Sequence, residues 1–597
     1  VSEASDRPVS LFTALAVATT VALVISACGG SSTTPNPGPI SFTRNPCSPT
    51  TNVVLAEAQA ALIDCSNGGT TVTLAGNGAS YLIVPQYASN QPSNTLFPYS
   101  IATGNLVAAA RSTERVGAWR AALRAASATT GILPPRRLMR AQQALDAALR
   151  ARARTLTGRA HLVRLATGTV RPSAAIPPPA LGSTRSFQVL SSWSATNPAW
   201  KSVTAALAFA GDNLLLYVDQ TTPANGFTPT QLQAFGQLFD QTLYPIDTLN
   251  FGSPSDVDQN GRVIMLMSPV VNALTPTSTC ATQGYIAGFF DEGDFNDASD
   301  PHSNQGEIFY SVVPDPNGTV SCAHTVAGVG GAVPATFMHE VQHLVNFSQH
   351  AILKAGAPSS GWLDEGLSIA AEELGSLYYE QKCPPPSCRT DPAQLFPDSS
   401  QGFVQGFLYD SYQYGLLPDT ASLTLHTDDQ NGFSWRGGDW LLLRYLSDQK
   451  GSGFFRQLEQ GPSDGVTALE AAAGQPFPAF FAAFGLALYT DSLPGLPRGT
   501  APAVDRFVSR NVSQLWARLF ATSGGASDIP YLFPIRVFPV TVDTSSAVMV
   551  PGTMTYFRLD TPTADSTVSI RFAAPSGAAL SATLHPQLSL FRLPAGW

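Results

Sequence analysis

Charge, histidine and cysteine are all scarce in this chain. Only 13% of its 597 residues are charged, eight are His and seven are Cys. The excess is acidic, with a formal net charge of −9 and an isoelectric point near 5.4. A nucleic-acid binder relying on a basic face is excluded on that balance. No C-x-x-C pair occurs, which removes the usual thiolate zinc sites. No internal repeat is visible, so solenoids and propellers are set aside. Beyond residue 28 no apolar run is long enough to span a bilayer; FPAFFAAFGLALY (Phe477 to Tyr489) has the length of a buried helix.

What the chain does have is 44% hydrophobic residues with 49 Gly and 47 Pro, the profile of a turn-rich globular protein suited to an extracellular setting. Its length asks for roughly two to four domains. The one basic tract, Arg111 to Arg164, contains RRLMRAQQALDAALRARART. Leu138, Leu145 and Leu149 recur there at helical spacing, so a helix is expected with its arginines turned to solvent.

The N-terminus reads as an export signal over residues 1–27. Leu11 to Ala27 is apolar and Cys28 follows at once, in an Ile-Ser-Ala-Cys context that resembles the bacterial lipobox. The expectation is a lipid anchor at Cys28 to a bacterial envelope membrane, with a plain transmembrane anchor as the alternative. Residues 28–45, with GGSSTTPNPGP, form a tether. The six remaining cysteines fall into neighbouring pairs, Cys47 with Cys65, Cys280 with Cys322 and Cys383 with Cys388. Three local disulfides in an oxidising compartment are the simplest account.

The organisation expected from periodicity is α+β. Residues 46–180 read as short strands followed by the Arg-rich helix and a Pro-rich break at 171–185. Residues 185–330 mix strands and helices, including the buried strand GRVIMLMSPVV and a Thr-capped helix in TPTQLQAFGQLFDQTLY. Residues 331–490 are helical, and residues 525–597 read as a separate, sandwich-like β region.

The chemistry concentrates in FMHEVQHLVNFSQH, residues 337–350. His339 and His343 are four apart and so share one helix face, where two imidazoles can chelate one tetrahedral metal. Glu340, beside the first histidine, is placed to act as general base toward a metal-activated water. Pro334 is expected in the first turn of this helix. His350 is set aside: the H-E-x-x-H-x-x-G-x-x-H pattern needs Gly at 346 and His at 349, where Asn346 and Gln349 stand. His350 is expected to interact with the last carbonyls of the helix.

The third ligand is sought in GWLDEGLSIAAEELG (361–375). Glu365, 22 positions beyond His343, would begin a second helix packed on the first, with Asp364 as the rival ligand. Glu372 lies on the same face and either supports a ligand histidine or is simply solvated. This arrangement resembles the gluzincins, in which H-E-x-x-H is followed by a W-L-x-E-G helix that supplies a Glu ligand. More narrowly, HEVQHLVNF with WLDEGLSIAAEE resembles the hyicolysin-type neutral zinc metallopeptidases of bacteria. DVDQNGRVIMLMSPVVN, GYIAGFFDEGDF, SNQGEIFYSV and RGGDWLLLRYLSDQKG extend the likeness over about 185–490. The resemblance implies a thermolysin-like (gluzincin) catalytic domain, one zinc per chain on His339, His343 and Glu365, and an exported endopeptidase acting on protein or peptide substrates. Tyr409, Tyr412, Tyr414 and Tyr445 are open candidates for an oxyanion donor.

DVDQNGR also opens like a calcium loop, with Asp256, Asp258, Asn260 and Gly261 in D-x-D-x-N-G order. Its twelfth position is Met267 rather than Glu and a strand follows, so a tight Asx turn is the favoured reading and bound calcium the alternative. Two further functional alternatives stay open: a non-catalytic surface lipoprotein, such as an adhesin or scaffold, and a zinc aminopeptidase. The first would be expected to lack Glu340 or a ligand; the second would carry a G-x-M-E-N-like strand, and the sequence has none.

Overall fold

The computed structural model describes residues 44–103, 134–156, 177–194, 197–382, 401–425, 432–491, 506–523, 526–540, 545–563 and 565–595. Cys28, Cys383 and Cys388 lie outside the described residues. Mixed helices and sheets make the chain α+β.

The first unit is all β. Strands β1 (Arg44–Pro46), β2 (Asn52–Val53), β3 (Ala60–Asp64), β4 (Thr71–Ala75), β5 (Ser80–Tyr87) and β6 (Phe97–Thr103) come from the N-terminal region. They do not form a domain of their own, nor do the C-terminal strands expected as a separate unit. The last strand of the chain, Pro586–Arg592, inserts between β3 and β5, while Thr567–Ala573 inserts between β4 and β6. A seven-stranded and a five-stranded sheet result, each containing strands from both ends of the chain. They enclose one core that includes Ile63, Val72, Tyr99, Ile570 and Leu588. Cys47 and Cys65, just past the paired strands β1 and β3, are joined by a disulfide.

The second unit is built on a six-stranded sheet. Its strands are β7 (Thr184–Ser192), β8 (Ala199–Ala210), β9 (Leu214–Asp219), β10 (Val263–Met267), β11 (Gly288–Phe290) and β12 (Ile308–Ser311), in the order β11-β12-β10-β9-β8-β7. Strands β9, β10 and β12 run parallel, and β10 is buried along its whole length, as an unbroken apolar run in a sheet covered on both faces requires. Antiparallel β11 forms one edge. The Cys280–Cys322 disulfide ties the segment before β11 to the one after β12.

Five longer helices matter for the site: α1 (Pro134–Leu156), α2 (Val326–Phe347), α3 (Gly361–Lys382), α4 (Gln401–Leu416) and α5 (Gly432–Lys450). Thr325 caps α2 by accepting from the Gly328 amide at 3.0 Å. The helix therefore begins well before Pro334, which is buried in its interior rather than in its first turn. Proline there leaves the Gly330 carbonyl without its intrahelical donor. Helices α4 and α5 cross closely: a Cβ at Gly437 would fall 2.0 Å from the Asp410 carbonyl oxygen, so only glycine permits this approach.

The two units meet across the helix Phe477–Thr490. Sheet side chains donate to carbonyls exposed on it: Gln587 to Pro478 at 2.9 Å, Tyr556 to Gly485 at 2.8 Å and Ser589 to Ala482 at 3.3 Å. Its four phenylalanines are buried. Among the described residues no single helix is long and apolar enough to cross a membrane.

Candidate metal centre

Helices α2 and α3 lie side by side because both are apolar on the facing surfaces, Val341, Leu344, Leu367 and Ala371 being fully buried. That packing brings His339 and His343 of α2 together with Glu365 from the start of α3. One ligand atom from each lies within 4.8 Å of the others. The two Nε2 atoms are 3.2 Å apart, and Glu365 oxygens lie 3.7 Å from His339 Nε2 and 3.8 Å from His343 Nε2. Ligand atoms around a tetrahedral zinc, with bonds of ~2.0–2.1 Å, stand about 3.3 Å apart.

The opposite ring nitrogens are engaged by acceptors. His339 Nδ1 lies 2.7 Å from Glu372 Oε1, and His343 Nδ1 lies 2.9 Å from Asp364 Oδ2 and 3.0 Å from Ser368 Oγ. With the protons on Nδ1, both Nε2 lone pairs face the same point. Burial pushes His339 well below the usual imidazole range, helped by His343, Arg436 and Arg150, so it is held neutral, the form that ligates. Two ring nitrogens 3.2 Å apart beside a buried carboxylate are a set of acceptors that one cation between them would satisfy. The donor set therefore fits a single divalent metal, and its two nitrogens and one oxygen suit zinc. Asp364, the rival ligand, stands behind His343 instead. Sequence reasoning did not pick out Ser368, although its spacing of one helical turn from Asp364 marks it as a partner for the same ring.

Glu340 is 3% exposed. Its Oε2 accepts from the Phe290 amide of edge strand β11 at 3.2 Å, while Oε1 is buried and makes no hydrogen bond. Burial, with Asp146 and Glu292 nearby, pushes its carboxyl well above the usual range, the direction needed in a group that takes and returns a proton near neutrality.

The other sequence candidates lie elsewhere. His350 is not at the last carbonyls of α2; a π-helical turn, Ser348–Leu353, carries it to 3.9 Å from Glu459. Tyr409 donates to Asp528 at 2.8 Å and Tyr412 to the Tyr531 carbonyl at 2.6 Å. Tyr414 and Tyr445 pack against Phe484.

The Arg-rich helix departs most from expectation. Leu145 and Leu149 of α1 are buried, but the arginines between and beyond them do not all face solvent. Arg150 is ion-paired with Glu365, and Arg152 Nη1 lies 2.9 Å from both Asp291 oxygens with its guanidinium over Trp200. Arg436 of α5 contacts the other Glu365 oxygen at 3.1 Å. Gln142 of α1 meets the edge of the sheet: it accepts from the Ala287 amide at 3.0 Å and donates to the Gly288 carbonyl at 2.8 Å. Helical periodicity exposed the apolar stripe of α1 but not the acidic and backbone groups that its polar side meets.

No family model matches the chain. Over 272 residues it is 27% identical to the neutral metalloprotease ShpI of Staphylococcus hyicus, a match covering 45% of this chain and 53% of that protein. The chain thus spans about half the length of the curated relative it matches. The likeness supports a metalloprotease family.

Proposed function

We propose that the chain is an exported zinc metalloendopeptidase of hyicolysin type, with a gluzincin arrangement in which His339, His343 and Glu365 hold the metal and Glu340 is the general base. The observation that supports this most is the convergence of His339, His343 and the buried Glu365 carboxylate around one point, with Glu340 next to His339 in the chain and carboxylates behind both rings. A zinc ion there supplies Lewis-acid activation of water and of the scissile carbonyl. Glu340 takes the water proton on its free Oε1 and returns it to the leaving amine. Glu372, Asp364 and Ser368 orient the imidazoles by holding their Nδ1 protons.

Strand β11 favours an endopeptidase over an aminopeptidase. The Gly288 carbonyl of this edge and the Ala287 amide just before it face Gln142 of α1, and an extended substrate would pair with such an edge anywhere along its length. Gln142 now occupies these two groups and Arg150 occupies Glu365. In this reading α1 covers the cleft, and substrate entry requires it to withdraw. A purely binding surface protein would have no use for Glu340 with a raised pKa beside the ligands. Two disulfides within the described residues support export, and anchoring at Cys28 belongs to the same proposal.

A fluorogenic peptide blocked at both termini tests the assignment. Internal cleavage is expected; cleavage confined to peptides with a free amino end would make the chain an aminopeptidase, and binding without cleavage would make it a scaffold.

A further inference from the structure

The DVDQNGR turn preceding β10 acquires a partner that its own segment does not contain. Asp256 and Asp258 are joined by Glu307, and one carboxylate oxygen of each lies within 4.8 Å of the others. Glu307 stands just before β12, whose parallel register with β10 pairs Ile308 with Ile264. It thereby comes beside the turn although 50 residues separate it from Val257. The acidic residue missing at the twelfth loop position is supplied from the neighbouring strand.

Two of the three carboxylates are held with one oxygen bonded and one bare. Glu307 is 1% exposed; its Oε1 accepts from Ser255 Oγ at 2.7 Å and from the Val257 amide at 3.0 Å, while Oε2 is buried without a hydrogen bond. Asp256 Oδ1 accepts from the Gly261 amide at 2.9 Å, and its Oδ2 is likewise buried and unbonded. Gly261, at φ +70°, makes the sharp turn that aims its amide at Asp256. Asp258 is bonded to the Asn260 amide at 3.2 Å and to its side chain at 2.6 Å. Arg185 Nη1, 3.8 Å from Asp258 Oδ2, is the cation recorded at the cluster among the described residues, and it sits on the outer of the three carboxylates. Burial, and more weakly the Asp258 and Asp256 charges, pushes the Glu307 carboxyl up to about 7. A bare, nine-tenths buried carboxylate oxygen facing two other acids is costly unless a cation shares it.

We propose that Asp256, Asp258 and Glu307 form a calcium site. The donors are all oxygens, with no imidazole or thiolate, which suits a hard cation and not zinc. A turn that contributes several oxygens at flexible spacing suits calcium better than magnesium, whose octahedral shell is stricter. The site reaches the π-helical turn that continues α2: Ser255 Oγ lies 3.0 Å from Ser348 Oγ, and Gln349 donates to the Ser253 carbonyl at 2.6 Å. Bound calcium fixes this turn on the end of α2 and stabilises the fold around the centre without entering the chemistry.

The test is thermal unfolding of the zinc-loaded full chain with added CaCl2 or MgCl2, alongside calorimetric titration with CaCl2. Calcium on the order of 1 mM should raise Tm, as ligand binding to the native state does, with magnesium less effective. Asp258→Asn, a partly exposed position where folding is retained, should weaken calcium binding by roughly tenfold or more, the effect of losing one charged ligand; Glu307→Gln should abolish it. No rise in Tm with calcium, an equal rise with magnesium, or a calcium response unchanged in Asp258→Asn overturns the site. Because the readout is Tm and heat rather than hydrolysis, its failure would leave the peptidase reading standing, and the reverse also holds.

Discussion

The two clusters of candidate ligands solve the same problem, neighbouring buried acceptors, with opposite materials. The centre on α2 and α3 uses imidazoles set one helical turn apart and a carboxylate from the next helix. Its ligand rings are oriented from behind by Glu372, Asp364 and Ser368, and guanidiniums from α1 and α5 lie against Glu365. The cluster beside β10 uses carboxylates alone, fixed by backbone amides of a turn and completed by a residue from another strand. The first has nitrogen donors and Glu340 at hand, as the proposed hydrolysis requires. The second has neither, in keeping with the proposed structural calcium.

Glu340→Gln separates them most sharply. It should lower peptide hydrolysis by roughly 10²–10⁴-fold, the usual contribution of a general base, while zinc content and the calcium-dependent Tm stay as in the wild type. Retained hydrolysis would remove Glu340 from the mechanism. Glu365→Ala should take zinc content, measured by atomic emission, from one per chain to a small fraction and take activity with it, again sparing the calcium response. If Asp364→Ala emptied the centre instead, the third ligand would be reassigned.

The contrast also explains how far the sequence could be read. His339, His343 and Glu340 are within one helix, so spacing places them together, and the resemblance in WLDEG points to Glu365 after a short loop, with Asp364 left as the rival. Glu307 reaches Asp256 only through parallel strand pairing, which no local pattern encodes. The same holds for Pro586–Arg592: its alternation identifies a strand, but not that it inserts between two strands from the opposite end of the chain. In α1, Leu145 and Leu149 mark the apolar stripe, whereas the role of Arg150 depends on Glu365, 215 positions further along the chain. Pro334 misled for a different reason, since proline signals a helix start more often than a buried interior position.

Smaller effects probe what surrounds the zinc ligands. Glu372→Gln, which keeps size but weakens the hold on His339 Nδ1, should reduce zinc affinity by roughly 10–100-fold as read by competition with a chromogenic chelator. An unchanged affinity would make Glu372 a bystander. Arg150→Ala removes a guanidinium from Glu365 and loosens α1, so hydrolysis of the blocked peptide should rise a few-fold with zinc content no lower than before. A fall in activity would mean that α1 supports the cleft rather than covers it.

The most direct measurement is the zinc content of the purified chain lacking residues 1–28, taken together with its casein hydrolysis before chelation, after chelation and after zinc is returned. One zinc per chain, hydrolysis lost with the metal and restored by it, is the predicted result. Casein hydrolysis that persists in metal-free protein, or a fully zinc-loaded Arg150→Ala chain that cleaves nothing, would contradict the account.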